Sequence, residues 1–543
     1  MIPRFSRLSV ALAGLVTGLS LLACAAAQAA PEPNPPPTTQ PIPEVRGTWV
    51  TTTGNTAIAT PENTALTMQR LREIGLNTVY VECWKNGYTQ YPSKVLERTI
   101  GVDRRPNLMP QDPSDPPSTP ESLRKPARDL LGETLIEAHR NGLYYIGWFE
   151  YGFMAAHKDT MNHLRKQKPE WLSRDIKGSE VAPNGFVWMN PLHPEARRFL
   201  LDLVLEAVDN YDLDGVQLDD RIVWPYITMG YDDYTKEIYA KENGGKEPPT
   251  DHKDAAWMRW RADKVNEYSK QFVQELRARR PGLIISLSPA VYPWCWEHYL
   301  LEWPKWSGWT AADMLPLPAG SPGAGVTPMW DEFIPQNYRF SYDAFEKTWL
   351  DQIKSVKELG ADRQKDLIAG MRIVGDGEDS SWDQLKRSMD LCREKGNGGH
   401  VHWFSRGVLD VYPKELTEYY DLAQRGPARH PKLPADWRPA PTVLKSIEEP
   451  AAKGQSWQAA AIEPGSYRLI ASRSGIWAQV GTLVLTRDAA KGTPTVQGSI
   501  GTDLLDAAPA GPGVRVRLAK PADAVELLRD RRPDLAKGRP AAN

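Results

Sequence analysis

The sequence predicts an α/β fold, a TIM (β/α)8 barrel followed by a small C-terminal β-rich module. Three observations carry that reading. Eight short apolar segments between Glu44 and Arg425 alternate with helical stretches; alternation implies a parallel sheet, and eight units imply closure into a barrel. After a proline-rich stretch at 426–442 the apolar period changes to two, with turn residues between the runs. Finally, the segment Tyr211-Asp-Leu-Asp-Gly-Val-Gln-Leu-Asp-Asp-Arg221 reads as a strand ending in adjacent carboxylates. The C-terminal ends of barrel strands are where this fold presents its chemistry.

Taken in order, residues 1–30 read as an export signal. Arg4 and Arg7 supply the positive region and Leu8 to Leu22 the apolar core. Two processing sites overlap. Ala27-Gln-Ala29 fits ordinary signal cleavage, and Leu21-Leu-Ala-Cys24 resembles a bacterial lipobox with Cys24 as the lipidated residue. Both place the mature chain outside the cytoplasm: periplasmic, lipid-anchored through Cys24 to a membrane, or secreted. Residues 31–43 form a proline-rich linker. No later apolar run is long enough to span a bilayer.

The barrel is expected over 44–425. Its strands are Val45–Val50, Asn77–Glu82, Leu143–Phe149, Gly215–Asp219, Leu283–Ser288, Phe333–Tyr338, Leu367–Ile373 and Gly399–Phe404. Helical periodicity marks 64–74, 130–140, 194–210, 262–279, 343–359 and 382–395, several closed by glycines such as Gly75, Gly142 and Gly360. Two stretches are irregular. Pro106 to Pro126 reads as an insertion, and Glu302 to Trp330 as a long loop over the barrel mouth. Residues 426–442 are a linker, and 443–543 hold the β-rich module.

The fourth strand is the most explicit. The helix before it has Pro194 and Glu195 in its first turn and an apolar stripe of Phe199, Leu200, Leu203, Val204, Ala207 and Val208. Side chains alternate along the strand, so Val216 and Leu218 share one face and Gln217 and Asp219 the other. With the apolar pair against the outer helices, Gln217 and Asp219 point into the barrel. Asp220 begins the loop.

Composition narrows the function. A formal charge of −2 over 543 residues gives no nucleic-acid footprint. Cys83, Cys295 and Cys392, beside Cys24, offer neither a disulfide framework nor a metal-binding CxxC pair. Trp and Tyr number 20 each against 10 Phe, and aromatics with a polar handle suit flat, polar ligands such as sugars.

Residues 44 to 420 resemble the glycosyl-hydrolase-like ten family of bacterial envelope proteins. The matching segments are Val45-Arg-Gly-Thr-Trp-Val50, Gly75-Leu-Asn-Thr-Val-Tyr-Val-Glu82, Tyr91-Pro-Ser93, Glu137-Ala-His-Arg-Asn-Gly142, Trp148-Phe-Glu150, Pro169-Glu-Trp171, Asp214-Gly-Val-Gln-Leu-Asp-Asp220 and Ile334-Pro-Gln-Asn-Tyr338. Each is weak alone; as an ordered set they are specific. The resemblance implies a TIM-barrel glycoside hydrolase acting on peptidoglycan glycan strands stripped of their stem peptides. The Asp-Gly-x-x-x-Asp spacing also resembles the fourth strand of α-amylase-like and α-galactosidase-like barrels, which implies Asp219 as nucleophile. Many family members carry Asn at the position of Glu150, a departure in this chain.

Glycoside hydrolysis commonly uses two carboxyls across the scissile bond. The candidates at strand ends are Asp219 first, then Glu150, Glu82 and Asp220. Trp148 beside Glu150 suits a desolvated general acid. The expected substrate contacts are Trp49, Trp84, Trp148, Gln217, Gln336, Tyr338, His402 and Trp403. His400 and His402 share a face of the last strand but lack a third ligand, so no metal or other cofactor is expected. Two other readings remain: hydrolysis of an exopolysaccharide or α-glucan, and a non-catalytic glycan-binding lipoprotein.

Overall fold

The computed structural model describes residues 41–109, 127–449, 453–487, 494–497 and 503–532. The expected export signal, Cys24, most of the expected 31–43 linker and most of the Pro106–Pro126 insertion lie outside the described residues.

Eight parallel strands form one sheet: β1 (Val45–Val50), β2 (Thr78–Glu82), β3 (Tyr144–Phe149), β4 (Gly215–Asp219), β5 (Ile284–Ser288), β6 (Glu332–Phe333), β7 (Ala369–Arg372) and β8 (Gly399–Trp403). Their spatial order is β6-β5-β4-β3-β2-β1-β8-β7. The two ends meet. Ile368 N–H donates to the Phe333 carbonyl (2.9 Å) and Gly370 N–H to the Pro335 carbonyl (3.1 Å), so the sheet closes into the expected barrel. Pro335 has no N–H to give, which cuts the sixth strand to two residues plus a bridge at Gln336.

The helices around the barrel include α1 (Pro61–Ile74), α2 (Leu130–Arg140), α3 (Pro194–Asn210), α4 (Ala255–Arg279), α5 (Tyr342–Leu359), α6 (Trp382–Glu394) and, after β8, α7 (Pro413–Tyr420). Thr60, Asp129, Asp254, Ser341 and Ser381 cap the N-termini of α1, α2, α4, α5 and α6 with side-chain oxygens. The buried face of α3 contains the six residues expected of it.

No long helix joins β5 to β6, and there the structure corrects the sequence reading. Residues 302–330 do not simply cover the mouth. After a short helix, Trp303–Trp306, the segment runs down the outside against α4. Trp306 and Trp330 stack at 5.8 Å, Trp330 stacks on Phe272 of α4, and Leu315 N–H donates to Gln274 (2.9 Å). A parallel strand must restart at the bottom of the barrel, and here an aromatic-rich strap makes the return.

The C-terminal residues form two antiparallel sheets. One pairs Thr442–Val443, Ala524–Arg529, Gly465–Arg473, Ile476–Arg487 and Pro494–Gln497; the other pairs Lys445–Ile447, Gln455–Ala459, Gly513–Leu518 and Leu504–Ala510. Their inner faces share a core that includes Trp457, Leu469, Leu483, Val516 and Leu527. The 426–442 connection is tied down rather than loose. Ala428–Arg429 pairs in parallel with Ile42–Pro43, and His430 enters the barrel floor, where its Nε2 lies 3.0 Å from Glu332.

Candidate functional site

Register decides which side chains face the barrel interior. Gly47, Trp49, Tyr80, Glu82, Ile146, Trp148, Gly215, Gln217 and Asp219 fall on one set of paired positions. Ser286 and Ser288 continue it on β5. Gly47 is needed there, because a Cβ would lie 3.0 Å from the Tyr80 ring. Val216 and Leu218 face outward, as their alternation predicts.

Asp219 ends β4 at the mouth and is 3% exposed. Arg221 forms an ion pair with its Oδ2, and Gln336 Nε2 donates to its Oδ1 at 2.6 Å. The same Arg221 nitrogen lies 3.8 Å from Glu150 Oε1 and donates to the Glu150 carbonyl at 2.9 Å. Asp220 Oδ1 lies 3.5 Å from the same guanidinium nitrogen. Lys85 Nζ sits 2.9 Å from Glu150 Oε2 and 3.0 Å from Glu82 Oε2. All four candidate acids therefore belong to one network threaded by two cations.

The acids are not equivalent. Burial would raise the Glu82 carboxyl, but Lys85 and the Thr51 and Thr52 hydroxyls outweigh it and hold Glu82 below the usual range. Burial raises Glu150; Lys85 offsets part of the rise and Glu82 adds to it. Burial likewise raises Asp219, with Arg221 opposing and Asp220 and Glu150 adding. The Glu150 charge thus adds to the rise at Asp219. Both Asp219 oxygens accept from direct donors, and hydrogen bonds to a charged form favour it. Burial raises Asp219 well above the usual carboxylate range and raises Glu150 less, so Arg221 and Gln336 are the groups that oppose protonation of Asp219.

Aromatic rings floor the mouth. Trp49 and Trp148 are buried, with centroids 6.4 Å apart. Trp403 and Tyr338 lie half-buried above them, stacked at 5.9 Å. Trp49 Nε1 donates to Gln217 (2.7 Å), and Gln217 donates onward to Ser286 (2.9 Å). Gln217 is fully buried, so it braces Trp49 rather than touching substrate.

Two more expected contacts lie elsewhere. Trp84 leaves the mouth, packing on Phe199 of α3 at 5.8 Å and donating to the Gly152 carbonyl at 3.0 Å. His402 pairs with Thr48 and His400 with Arg46, both outward positions. Their Nε2 atoms both meet the Tyr420 hydroxyl of α7, at 3.0 and 2.8 Å. Burial lowers His402 to about 3, so it is a neutral packing residue. Sequence alternation gives the two faces of β8 but not which one is inside. Cys83, Cys295 and Cys392 are all buried free thiols.

Sequence reasoning missed Lys85. The signal was present: Asn86-Gly87 between Trp84-Lys85 and Tyr88-Thr89 is a two-residue hairpin signature. It also missed Asp212 and Asp214. These sit at the opposite end of β4 and bind Arg438 at 2.6 Å each.

Residues 44–316 match the family described as glycosyl hydrolase-like 10. The chain is 23% identical over 448 residues to glycosyl hydrolase DigH of Escherichia coli (strain K12), covering 72% of this chain and 91% of that protein. It is 29% identical over 171 residues to glycosyl hydrolase YngK of Bacillus subtilis (strain 168), covering 31% of this chain and only 30% of that protein. Among solved structures, the PgaB (BpsB) glycoside hydrolase domain from Bordetella bronchiseptica aligns with a TM-score of 0.47 at 13% identity, covering 72% of this chain and 100% of that one. With the family match spanning half of its length, the chain belongs to the glycosyl hydrolase-like 10 family, whose name places it among the glycosidases.

Proposed function

We propose that this protein is an exported hydrolase of bacterial envelope glycan that cleaves peptidoglycan strands lacking stem peptides. Asp219 is the nucleophile and Glu150 the general acid. The observation that carries the reading is the shared Arg221: one guanidinium nitrogen holds the Asp219 and Glu150 carboxylates together at the barrel mouth, over an aromatic floor. The retaining route, in which nucleophile and acid stand about 5 Å apart, is the one proposed for this pair. Asp219 attacks the anomeric carbon while Glu150 protonates the departing oxygen, leaving a glycosyl ester on Asp219. Glu150, now ionised, takes a proton from water as that water cleaves the ester. Arg221 and Gln336 aim the Asp219 oxygens; Trp403 and Tyr338 offer their exposed faces to a sugar ring. The envelope assignment follows the N-terminal export signal and the family's ordered motifs.

The test is to incubate the protein with peptide-stripped peptidoglycan, intact peptidoglycan and α-glucans and to identify products by mass spectrometry. Release from stripped strands is expected, with Asp219→Asn inactive and Glu150→Gln impaired least on substrates with good leaving groups. Release from α-glucan alone removes the envelope substrate. No release from any of them leaves a binding protein.

A further inference from the structure

We propose that Lys85, clamped by Glu82, is the positioning residue that holds Glu150 and governs its proton. The inference rests on the reading of Glu150 as general acid.

Lys85 stands on the hairpin that continues β2 past the barrel rim. Its turn, Asn86-Gly87, has φ of 52° and 80°, the left-handed pair that a tight two-residue hairpin requires. The turn is seated: Asn162 donates to the Asn86 carbonyl at 2.7 Å, and a Cβ on Gly87 would lie 2.5 Å from the same amide. The lysine stem therefore starts from a fixed base. Its ammonium meets Glu82 and Glu150 at about equal distance and the Thr53 hydroxyl at 3.1 Å.

Glu82 is unsuited to proton transfer. Thr51 Oγ1 (2.7 Å), Thr52 N–H (3.1 Å), Thr52 Oγ1 (2.5 Å) and Gln90 Nε2 (3.2 Å) all donate to it. With its lone pairs occupied, it is a permanent anion that anchors Lys85. Glu150 has fewer partners and is the member of the bridge free to change its charge.

The groups facing Glu150 are Lys85 and Glu82 from the end of β2, Arg221, Asp219 and Asp220 from the end of β4, and the Tyr151 and Tyr338 hydroxyls. The ammonium favours ionised Glu150, and the Glu82 charge opposes it. Removing the two charges separately must move the Glu150 proton in opposite directions. Lys85→Met raises its proton affinity, and Glu82→Gln lowers it. A role confined to folding has no reason to produce opposite signs.

Two readouts separate this inference from the reading beneath it. On peptide-stripped glycan strands, the alkaline limb of the kcat/KM profile reports the acid. It should move up by about one pH unit or more in Lys85→Met, down in Glu82→Gln, and stay near wild type in Lys85→Arg. Without substrate, infrared titration of the protonated-carboxyl band, differenced against Glu150→Gln, should show the same two shifts. Shifts of one sign, or none, in the folded variants overturn the clamp. If Lys85→Met fails to fold, Glu82→Gln and Lys85→Arg still decide it. Full activity of Glu150→Gln removes the acid assignment, and the infrared arms then judge the clamp alone.

Discussion

Strand β4 is bracketed by carboxylates at both ends, and the two clusters are built on opposite principles. At the bottom, Asp214 accepts from Trp437 Nε1 (2.6 Å), Arg438 Nε (2.8 Å) and the Tyr145 N–H (2.8 Å), with His139 Nε2 at 3.0 Å. Asp212 accepts from Arg280 (3.1 Å), Arg438 (2.6 Å) and the Arg531 N–H (3.0 Å). Burial alone would raise both acids, but Arg438 and its neighbours hold them well below the usual carboxylate range. At the mouth, Asp219, Asp220 and Glu150 crowd one arginine, and burial pushes Asp219 and Glu150 up. The lower cluster uses its charges to tie the barrel to the C-terminal module. The upper one keeps charges in conflict, which suits the proton transfer proposed for it.

The sharpest way to break this comparison is the same isosteric change at both ends. Asp214→Asn turns an NH2 toward groups that are already donors and leaves Arg438 partly uncompensated. The cost expected for breaking a buried pair is about 3–5 kcal/mol, and Arg438→Met should match it. Asp219→Asn relieves like-charge crowding, so it should abolish turnover while the protein stays as stable or becomes more so. Urea midpoints for the three variants check this. Equal losses at 214 and 219 would erase the distinction between the ends.

How much of this was legible in the sequence depends on the range of the interaction. The eight strands and the in-out order of Val216 to Asp219 follow from local periodicity, and the barrel has them where expected. The Asp219 mouth position follows from the strand's polarity. Glu150 and Asp219 as neighbours needed only adjacent strands. Arg438, the cation that Asp212 and Asp214 share, lies more than 220 residues further on, and no local pattern announces it. The outward turn of His402 was hidden for a related reason: alternation has two phases, and what fixes the phase is Tyr420 on the helix after the strand. The strap at 302–330 lacks helical period because stacked tryptophans, not a helix stripe, attach it.

The pH dependence sharpens the comparison next. His139 lies between Asp214 and Arg468, whose Nη2 donates to its Nδ1. That contact fits the neutral ring. Burial first, then Arg438, lowers His139 to about 4, against the pull of Asp214. The unfolded chain takes up this proton near pH 6.5 and the folded one does not, so stability falls as pH drops from 6.5 toward 4, by about 3 kcal/mol at most. The mouth has the reverse sign. Asp219 and Glu150 bind protons more tightly when folded, so acidification returns stability there. His139→Gln should flatten the loss between pH 7 and 5, and Asp219→Asn should steepen it. A parallel response in both variants would show that the two ends do not titrate as separate clusters.

The smallest effect concerns the rim. Phe340 lies two residues beyond Tyr338 and is 67% exposed, the most exposed large apolar side chain among the described residues. Its ring is held from behind: the Arg372 guanidinium sits 4.3 Å from the centroid, and a Cβ on Gly377 would lie 3.1 Å from its edge. A ring fixed on one side and open on the other is suited to stacking against a sugar. Such a contact, worth roughly 1 kcal/mol, corresponds to about fivefold in affinity. Phe340→Ala should therefore lower kcat/KM on long glycan strands about fivefold relative to the shortest cleavable fragment, because only a long strand extends from Asp219 to the rim. An unchanged long-to-short ratio would confine substrate recognition to the Trp403 and Tyr338 faces directly above the acids.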